Sequence, residues 1–78
     1  MIITKIFSEL NTEELYQILR LRSEVFVVEQ DCIYQDIDNK DQKAIHLYFK
    51  ENDEILGYTR IFKAGYYYEN PSIGRVVV

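Results

Sequence analysis

Cysteine, proline, glycine and tryptophan are scarce in this sequence: 78 residues contain one Cys, one Pro, three Gly and no Trp. The single cysteine, Cys32, cannot form an internal disulfide, which suits a reducing compartment, so we expect a cytoplasmic protein. Few Pro and Gly, together with 47% hydrophobic residues, exclude a disordered profile. The length allows at most one small globular domain.

Long apolar runs and basic patches are missing as well. No stretch approaches the roughly 18 apolar residues of a membrane span, and no basic segment followed by a long apolar run marks a signal peptide, so we expect no membrane partner. The formal net charge is −4. An acidic chain is repelled by phosphate backbones, which argues against nucleic acid, and its field suits cationic or amine substrates better.

The sequence patterns of common cofactor and metal sites are also absent. No phosphate-binding P-loop, GxGxxG, HExxH or CxxC occurs. Asp36 and Asp38 begin a calcium-loop pattern, but it fails because Asp41 stands where glycine is required and Leu47 where glutamate is required. We therefore predict no metal site, and we interpret the polar segment 30–43 as a solvated acidic loop.

A helix is predicted over 12–28, after a short first strand. Asn11 suits the N-cap position, because its side chain can accept from the amide of Glu14 while Glu14 reaches back. Arg22 lies within the apolar stripe of this helix, where it either extends along the edge or points into a functional cleft. The stripe has helical spacing and predicts one face turned to a core; it consists of Leu15, Ile18, Leu19, Val25 and Phe26.

Alternating residues predict an antiparallel hairpin over 44–62 and a final strand over 72–78. Both hairpin faces carry apolar groups, so we expect cover on both sides of the sheet. The last three residues of the final strand are apolar on both faces, which predicts an edge open to pairing and a chain that is interrupted there. The expected fold class is α+β: a mostly antiparallel sheet of about four strands, with one or two helices packed on it.

Three features of the sequence have more than one interpretation. Cys32 is either a nucleophile helped by His46 or a small apolar filler, and the filler is the commoner role. His46, midway along a strand, is more often a packed histidine than a base. The tyrosines at 66–68 form a ligand-stacking surface, an oligomer contact, or simple packing over the sheet edge.

Two blocks of sequence point to a family. The first is LRSEVFVVEQ at 21–30, continuing through Cys32, Tyr34, Gln35-Asp36 and Asp38; the second is IGRVVV at 73–78. They resemble the first-helix-and-loop signature and the fourth strand of ElaA-type proteins in the GNAT superfamily of N-acetyltransferases. The strands that contain His46-Leu47 and 57–60 fall between them in the expected order. Ile33 departs from the family, which usually has proline there.

The resemblance implies acetyl transfer from acetyl-CoA to an amine of a small molecule or peptide, by the N-terminal half of a GNAT fold spanning 1–78. In this family the fourth strand is followed by an R/Q-x-x-G-x-G/A loop, whose helix N-terminus binds the pyrophosphate of acetyl-CoA. The sequence stops before such a loop, so we expect a truncated chain without the acetyl-CoA-binding half. The alternative is a non-catalytic α+β fragment that forms a homo-oligomer through its exposed final strand.

The resemblance also implies roles for individual residues. Glu29 or His46 would relay a proton. The first-helix region would line the acceptor side, which is the part of the site that binds the amine. Structural salt bridges are the alternative for Arg22 and Glu29. The expected substrate-binding residues are Arg22, Phe26, Gln30, Arg60 and Arg75, and acetyl-CoA would contact the backbone of Val76, Val77 and Val78.

Overall fold

The structure is a computed structural model that describes residues 1–29 and 35–78. Four antiparallel strands form one sheet in sequence order: β1 (Ile2–Ile6), β2 (Ile45–Glu51), β3 (Glu54–Phe62) and β4 (Ser72–Val77). One α-helix, α1 (Thr12–Ser23), packs against β3 and β4. The expected α+β class, with a mostly antiparallel sheet of four strands, is therefore confirmed.

Helix α1 begins at a capping box. Asn11 Oδ1 accepts a hydrogen bond from the Glu14 amide at 2.7 Å, and Glu14 Oε1 accepts one from the Asn11 amide at 3.0 Å, as the sequence predicted. The end of the helix differs from the expected single helix over 12–28. The chain continues from Glu24–Glu29 as a π-helix, in a segment with three valines, whose branched side chains lower helix propensity.

Short 3₁₀ turns precede α1 at Phe7–Glu9 and precede β2 at Asp41–Lys43. The β2–β3 hairpin turns at Asn52 and Asp53, whose φ angles are 51° and 64°. Positive φ at both central residues is typical of a type I′ turn, which Asn and Asp tolerate well. The hairpin carries His46 and Arg60 opposite each other on neighbouring strands.

The core lies between α1 and one face of the sheet. Ile18 from α1 packs with Tyr48, Ile55 and Tyr58, and all four side chains are buried. Partly buried apolar residues close the edges of this cluster. This layer supplies the hydrophobic contribution that a chain of this size needs.

A buried carboxylate, Glu14, joins the helix to the sheet. Its oxygens accept hydrogen bonds from Lys5 Nζ at 3.0 Å and from the Tyr48 hydroxyl at 2.6 Å. Burial alone raises the pKa of Glu14, but the hydrogen bonds from Tyr48, Asn11 and Lys5 outweigh burial and lower it to about 2. The charged form is therefore the one that the fold selects.

The opposite face of the sheet is open. Ile2, Phe49, Leu56 and Val76 are exposed there, along an apolar depression of about 530 Å³. The expectation of cover on both sides is wrong for the described part of the chain, because only one sheet face meets α1. Within the same residues, no helix is long and apolar enough to cross a membrane.

Candidate functional site

Three arginines that are distant in sequence meet three aspartates on the helix-covered side of the sheet. The arginines come from α1, β3 and β4, and the aspartates come from the segment 36–41. Three positive and three negative charges cancel. We refer to this set as the Arg–Asp cluster, and it consists of Arg22, Arg60, Arg75, Asp36, Asp38 and Asp41.

Asp41 is the centre of the cluster. Its Oδ1 accepts from Arg22 Nη1 at 2.8 Å and from Arg60 Nη1 at 3.0 Å. Arg22 also donates to the backbone carbonyl of Asp36 at 2.8 Å, and its Nε lies 3.1 Å from the Asp36 carboxylate. One carboxylate therefore neutralises two guanidinium groups that have little access to water.

Asp38 lies at the more exposed side of the cluster. Both of its oxygens accept from the guanidinium of Arg60, through Nη1 at 2.9 Å and through Nη2. The hydrogen bond from Arg60, which outweighs the effect of burial, lowers the pKa of Asp38 to about 2. Burial lowers the pKa of Arg60, but its bonds to Asp38 and Asp41 raise it above the usual value overall. Both groups stay ionised across the ordinary pH range.

The cluster overturns the expectation of a solvated acidic loop. Asp36 and Asp41 are buried, at 6% and 5% exposure, and Arg22 is fully buried. The physical reason is that buried guanidinium groups need counter-charges, since an unpaired charge in a low-dielectric interior is very costly. The acidic segment supplies those charges. Sequence reasoning missed this role, although arginines at otherwise apolar positions of a helix and a strand were a usable signal.

His46 lies next to the cluster and is fully buried. Its Nε2 donates to the Asp41 carbonyl at 2.9 Å, because a carbonyl can only accept, and its Nδ1 accepts from the Tyr58 hydroxyl at 2.6 Å. Burial, the largest influence, lowers the pKa of His46, and the charges of Arg22 and Arg60 act in the same direction. His46 is thus a neutral imidazole with both ring nitrogens hydrogen-bonded.

Strand β4 lies at the edge of the sheet and contains a bulge. Tyr58 pairs with Val77 but Arg60 pairs with Gly74, so two residues of β4 lie opposite Thr59. Arg75, inside the bulge, has φ 52°, which is uncommon for a residue with a side chain. Its guanidinium donates to Asp36 Oδ1 at 2.8 Å and reaches Asp38 Oδ2 at 3.4 Å. The Arg–Asp cluster therefore contacts the bulged part of β4.

The other residues with predicted roles belong to the π-helix, belong to the end of β4 and the residue after it, or lie outside the described residues. Phe26 is half-buried and Glu29 is exposed, and both belong to the π-helix. Gln30, like Cys32 and Ile33, lies outside the described residues. The backbone positions proposed for acetyl-CoA differ in surroundings: Val76 and Val77 belong to β4, and Val78 lies just beyond it.

The arrangement brings Arg22, Arg60, Arg75 and His46 together, on the side of the sheet next to α1. The positive charges of the three arginines are balanced by the aspartates, and the ion pairs of Arg75 hold the backbone of the edge strand β4 in place. Among the described residues, no group of three or more His, Cys, Asp or Glu side chains is placed to hold a metal ion. The assignments to catalysis and substrate binding stay predictions.

Comparison with known proteins identifies relatives by sequence. No family model matches the chain. Protein ElaA of Escherichia coli (strain K12) is 48% identical over 73 residues, a match that covers 91% of this chain and 48% of that protein. A UPF0039 protein of Synechocystis sp. is 40% identical over 72 residues, covering 91% of this chain and 47% of the relative. The chain spans about half the length of these curated relatives.

Two solved structures share the fold. A crystal structure of an acyl-CoA N-acyltransferase from Pseudomonas aeruginosa superposes with a TM-score of 0.92 at 38% identity, over 99% of this chain and 54% of that one. Escherichia coli ElaA superposes with a TM-score of 0.91 at 44% identity, over 100% of this chain and 54% of that one. The resemblance predicted from the sequence is confirmed. The chain has a GNAT fold of the ElaA type, which it shares with the matching half of these proteins.

Proposed function

We propose that this chain forms the acceptor-side part of an N-acyltransferase that moves an acetyl group from acetyl-CoA to an amine of a small molecule or a peptide. The match of nearly the whole chain to an acyl-CoA N-acyltransferase, at a TM-score of 0.92, carries the proposal. The amine nitrogen bonds to the thioester carbonyl carbon, the carbon–sulfur bond breaks, and coenzyme A leaves as the thiol. The amine must lose its proton during the reaction.

The edge of β4 supports the part of the proposal that concerns acetyl-CoA. An edge strand presents backbone N–H and C=O groups, which can pair with the amides of an extended ligand much as they pair with a peptide strand. We assign this role to the backbone of Val76, Val77 and Val78. The bulge at Arg75 interrupts the pairing of β4 with β3 just before these residues. The pairing of β4 with β3 and the bulge at Arg75 together fix the strand in a bent conformation.

The acceptor side is proposed to include Arg22, Phe26, Gln30, Arg60 and Arg75. Among these three arginines, Arg75 has the most accessible side chain, at 19% exposure against 0% for Arg22 and 5% for Arg60. Arg75 is therefore our candidate for holding a carboxylate or phosphate of the substrate. Arg22 and Arg60 would hold the bulged strand and the segment 36–41 in place.

For proton transfer we favour Glu29 over His46. Glu29 is exposed and can exchange protons with water, whereas both ring nitrogens of His46 are already hydrogen-bonded in the interior. His46 would serve instead to fix the carbonyl of Asp41. We place the reaction in the cytoplasm, since a chain with the single Cys32 suits a reducing compartment.

A chimaeric enzyme tests the proposal. This chain replaces the segment that it matches in the Pseudomonas aeruginosa protein, and release of the coenzyme A thiol from acetyl-CoA is measured with a panel of amines. We expect amine-dependent thiol release. Glu29→Gln should lower the rate by about 10²-fold or more and change its pH profile, whereas Glu24→Gln, at the start of the same π-helix, should leave both unchanged.

Two results would count against these assignments. A chimaera that is folded and monomeric, but releases no thiol with any amine that the parent protein accepts, contradicts the acyltransferase proposal. Equal rates for the two glutamine variants contradict the role of Glu29 alone. Thermal unfolding of each chimaera separates loss of chemistry from loss of the fold.

The second candidate function is self-association through β4, without chemistry. The observation that favours it is that β4 is an edge strand with an exposed apolar residue, Val76, and is followed by another, Val78. A second copy of this chain would pair its own β4 there and extend the sheet. Sedimentation equilibrium tests this: Val76→Lys should dissociate the oligomer, while Tyr16→Lys, on exposed α1 surface, should not. A monomer at high concentration refutes the candidate.

A further inference from the structure

Two tyrosines of the β3–β4 connection, Tyr67 and Tyr68, lie beside an ammonium group. Lys40 Nζ lies 5.1 Å from the centroid of the Tyr67 ring and 5.9 Å from that of Tyr68. Phe62 lies behind them, with its centroid 5.1 Å from Tyr67 in an edge-to-face arrangement and 6.3 Å from Tyr68. We call Phe62, Tyr67 and Tyr68 the aromatic cage.

The cage has a defined shape and remains accessible. Phe62 is buried at the end of β3 and fixes one side. The loop closes through the Gly65 amide, which donates to the Tyr68 carbonyl at 2.8 Å, with φ 92° at Gly65. This φ is easy for glycine and strained for other residues. Tyr67 and Tyr68 are 37% and 48% exposed as whole residues, so a ligand can reach them from solvent.

The faces of Tyr67 and Tyr68 favour a cation over other ligands, whereas the Phe62 ring already meets the Arg60 guanidinium, whose carbon lies 5.0 Å from the ring centroid. Aromatic faces attract an ammonium through the quadrupole of the ring. Within the described part of the chain, no carboxylate forms a salt bridge with Lys40, since the nearby Asp38 and Asp41 are bound to arginines. Lys40 therefore places its charge over the rings. The net charge of −4 also attracts cations to the molecule.

We propose that the aromatic cage is a binding site for alkylammonium groups, in which Lys40 is an intramolecular occupant that the ammonium of a ligand displaces. The inference does not depend on acyl transfer. A side chain tethered next to its site competes at a high effective concentration, so the free cage binds more strongly than the occupied one. Removal of Lys40 is thus the perturbation that exposes the site.

An NMR titration with n-butylammonium chloride tests the proposal at pH 7. The reporters are the Gly65 amide and the ring resonances of Tyr67 and Tyr68. We expect Lys40→Ala to bind about fivefold more tightly than the unchanged chain, the ratio that corresponds to ~1 kcal/mol for cation–π contact at an exposed site. Lys43→Ala, which removes the same charge from an exposed position three residues away, should bind like the unchanged chain.

Two further measurements make the test decisive. n-Butanol, which has the same alkyl chain without the charge, should leave the reporters unshifted, and equal concentrations of sodium chloride control for ionic strength. Tyr67→Leu in the Lys40→Ala chain should abolish the response, with the amide spectrum showing that the fold is kept. Equal affinities of the Lys40→Ala and Lys43→Ala chains, or an equal response to butanol, overturn the proposal.

Discussion

Replacement of Asp41 by asparagine is the sharpest test of the Arg–Asp cluster. The substitution preserves size and leaves the backbone carbonyl that accepts from His46 untouched. It removes the charge on Oδ1, which accepts from Arg22 at 2.8 Å and from Arg60 at 3.0 Å. The two arginines then lose a shared counter-charge in a place where Arg22 is fully buried.

The expected magnitude follows from the buried charge. Breaking a buried ion pair by removing one partner costs ~3–5 kcal/mol, mostly because a charge stays behind without compensation. A chain of this length has a free energy of unfolding of about 4–12 kcal/mol. Asp41→Asn should therefore remove a large part of the stability, and it should lower the melting temperature by about 12 °C or more.

Urea unfolding, followed by far-UV circular dichroism, measures the loss. The matched control is Asp53→Asn, the same chemical change at an exposed turn position whose φ of 64° both residues tolerate. We expect its free energy of unfolding to stay within ~0.5 kcal/mol of the unchanged chain. If Asp41→Asn costs less than ~1 kcal/mol at an unchanged m-value, water reaches the cluster and the reasoning from burial fails.

Three further predictions follow from two buried polar groups and from the backbone of the β4 bulge. The pKa of Glu14 is about 2 in the folded chain, below its value in the unfolded chain. The ionised carboxylate therefore contributes stability above pH ~4.5, and this stability is lost as the pH falls toward 2. In urea titrations between pH 5.5 and 2.5, Glu14→Gln should make the free energy of unfolding depend less on pH. The pKa of His46 is lowered, so its ¹⁵N shifts should show a neutral ring protonated at Nε2 at pH 7, and Tyr58→Phe should cost ~1–3 kcal/mol by leaving Nδ1 unpaired. A ring that is charged at pH 7, or protonated at Nδ1 instead, would contradict the assigned tautomer. Arg75→Gly should be more stable than Arg75→Ala by about 1 kcal/mol in free energy of unfolding, and should therefore unfold at a higher temperature, because only glycine adopts φ 52° without strain. Equal stabilities of the two variants would refute the strain.

The sequence predicted the elements whose signals are local. The capping box of Asn11 and Glu14, the turn between β2 and β3, and the alternation along both strands each depend on neighbours a few residues away. The π-helix that follows α1 was not predicted, because it changes the hydrogen-bond pattern without changing the apolar spacing enough to be recognised.

The candidate site was predicted only in part. Arg22 was selected because its charge lies within the apolar stripe of a helix, whereas Arg60 and Arg75 followed from the family resemblance, and the structure brings the three together. Their partners were misjudged. Asp36 is 39 residues away from Arg75 in the sequence, and nothing local distinguishes an acidic residue facing water from one folded back onto a buried arginine.

Those long separations have a consequence for how the family can diverge. In the Arg–Asp cluster each carboxylate serves more than one guanidinium, and the partners come from a helix, a connecting segment and two strands. A neutralising change at one position therefore leaves an unbalanced charge at another, unless a compensating change arrives with it. Homologous chains should retain all six charges, or replace them in opposite-sign pairs, at positions that are scattered from 22 to 75.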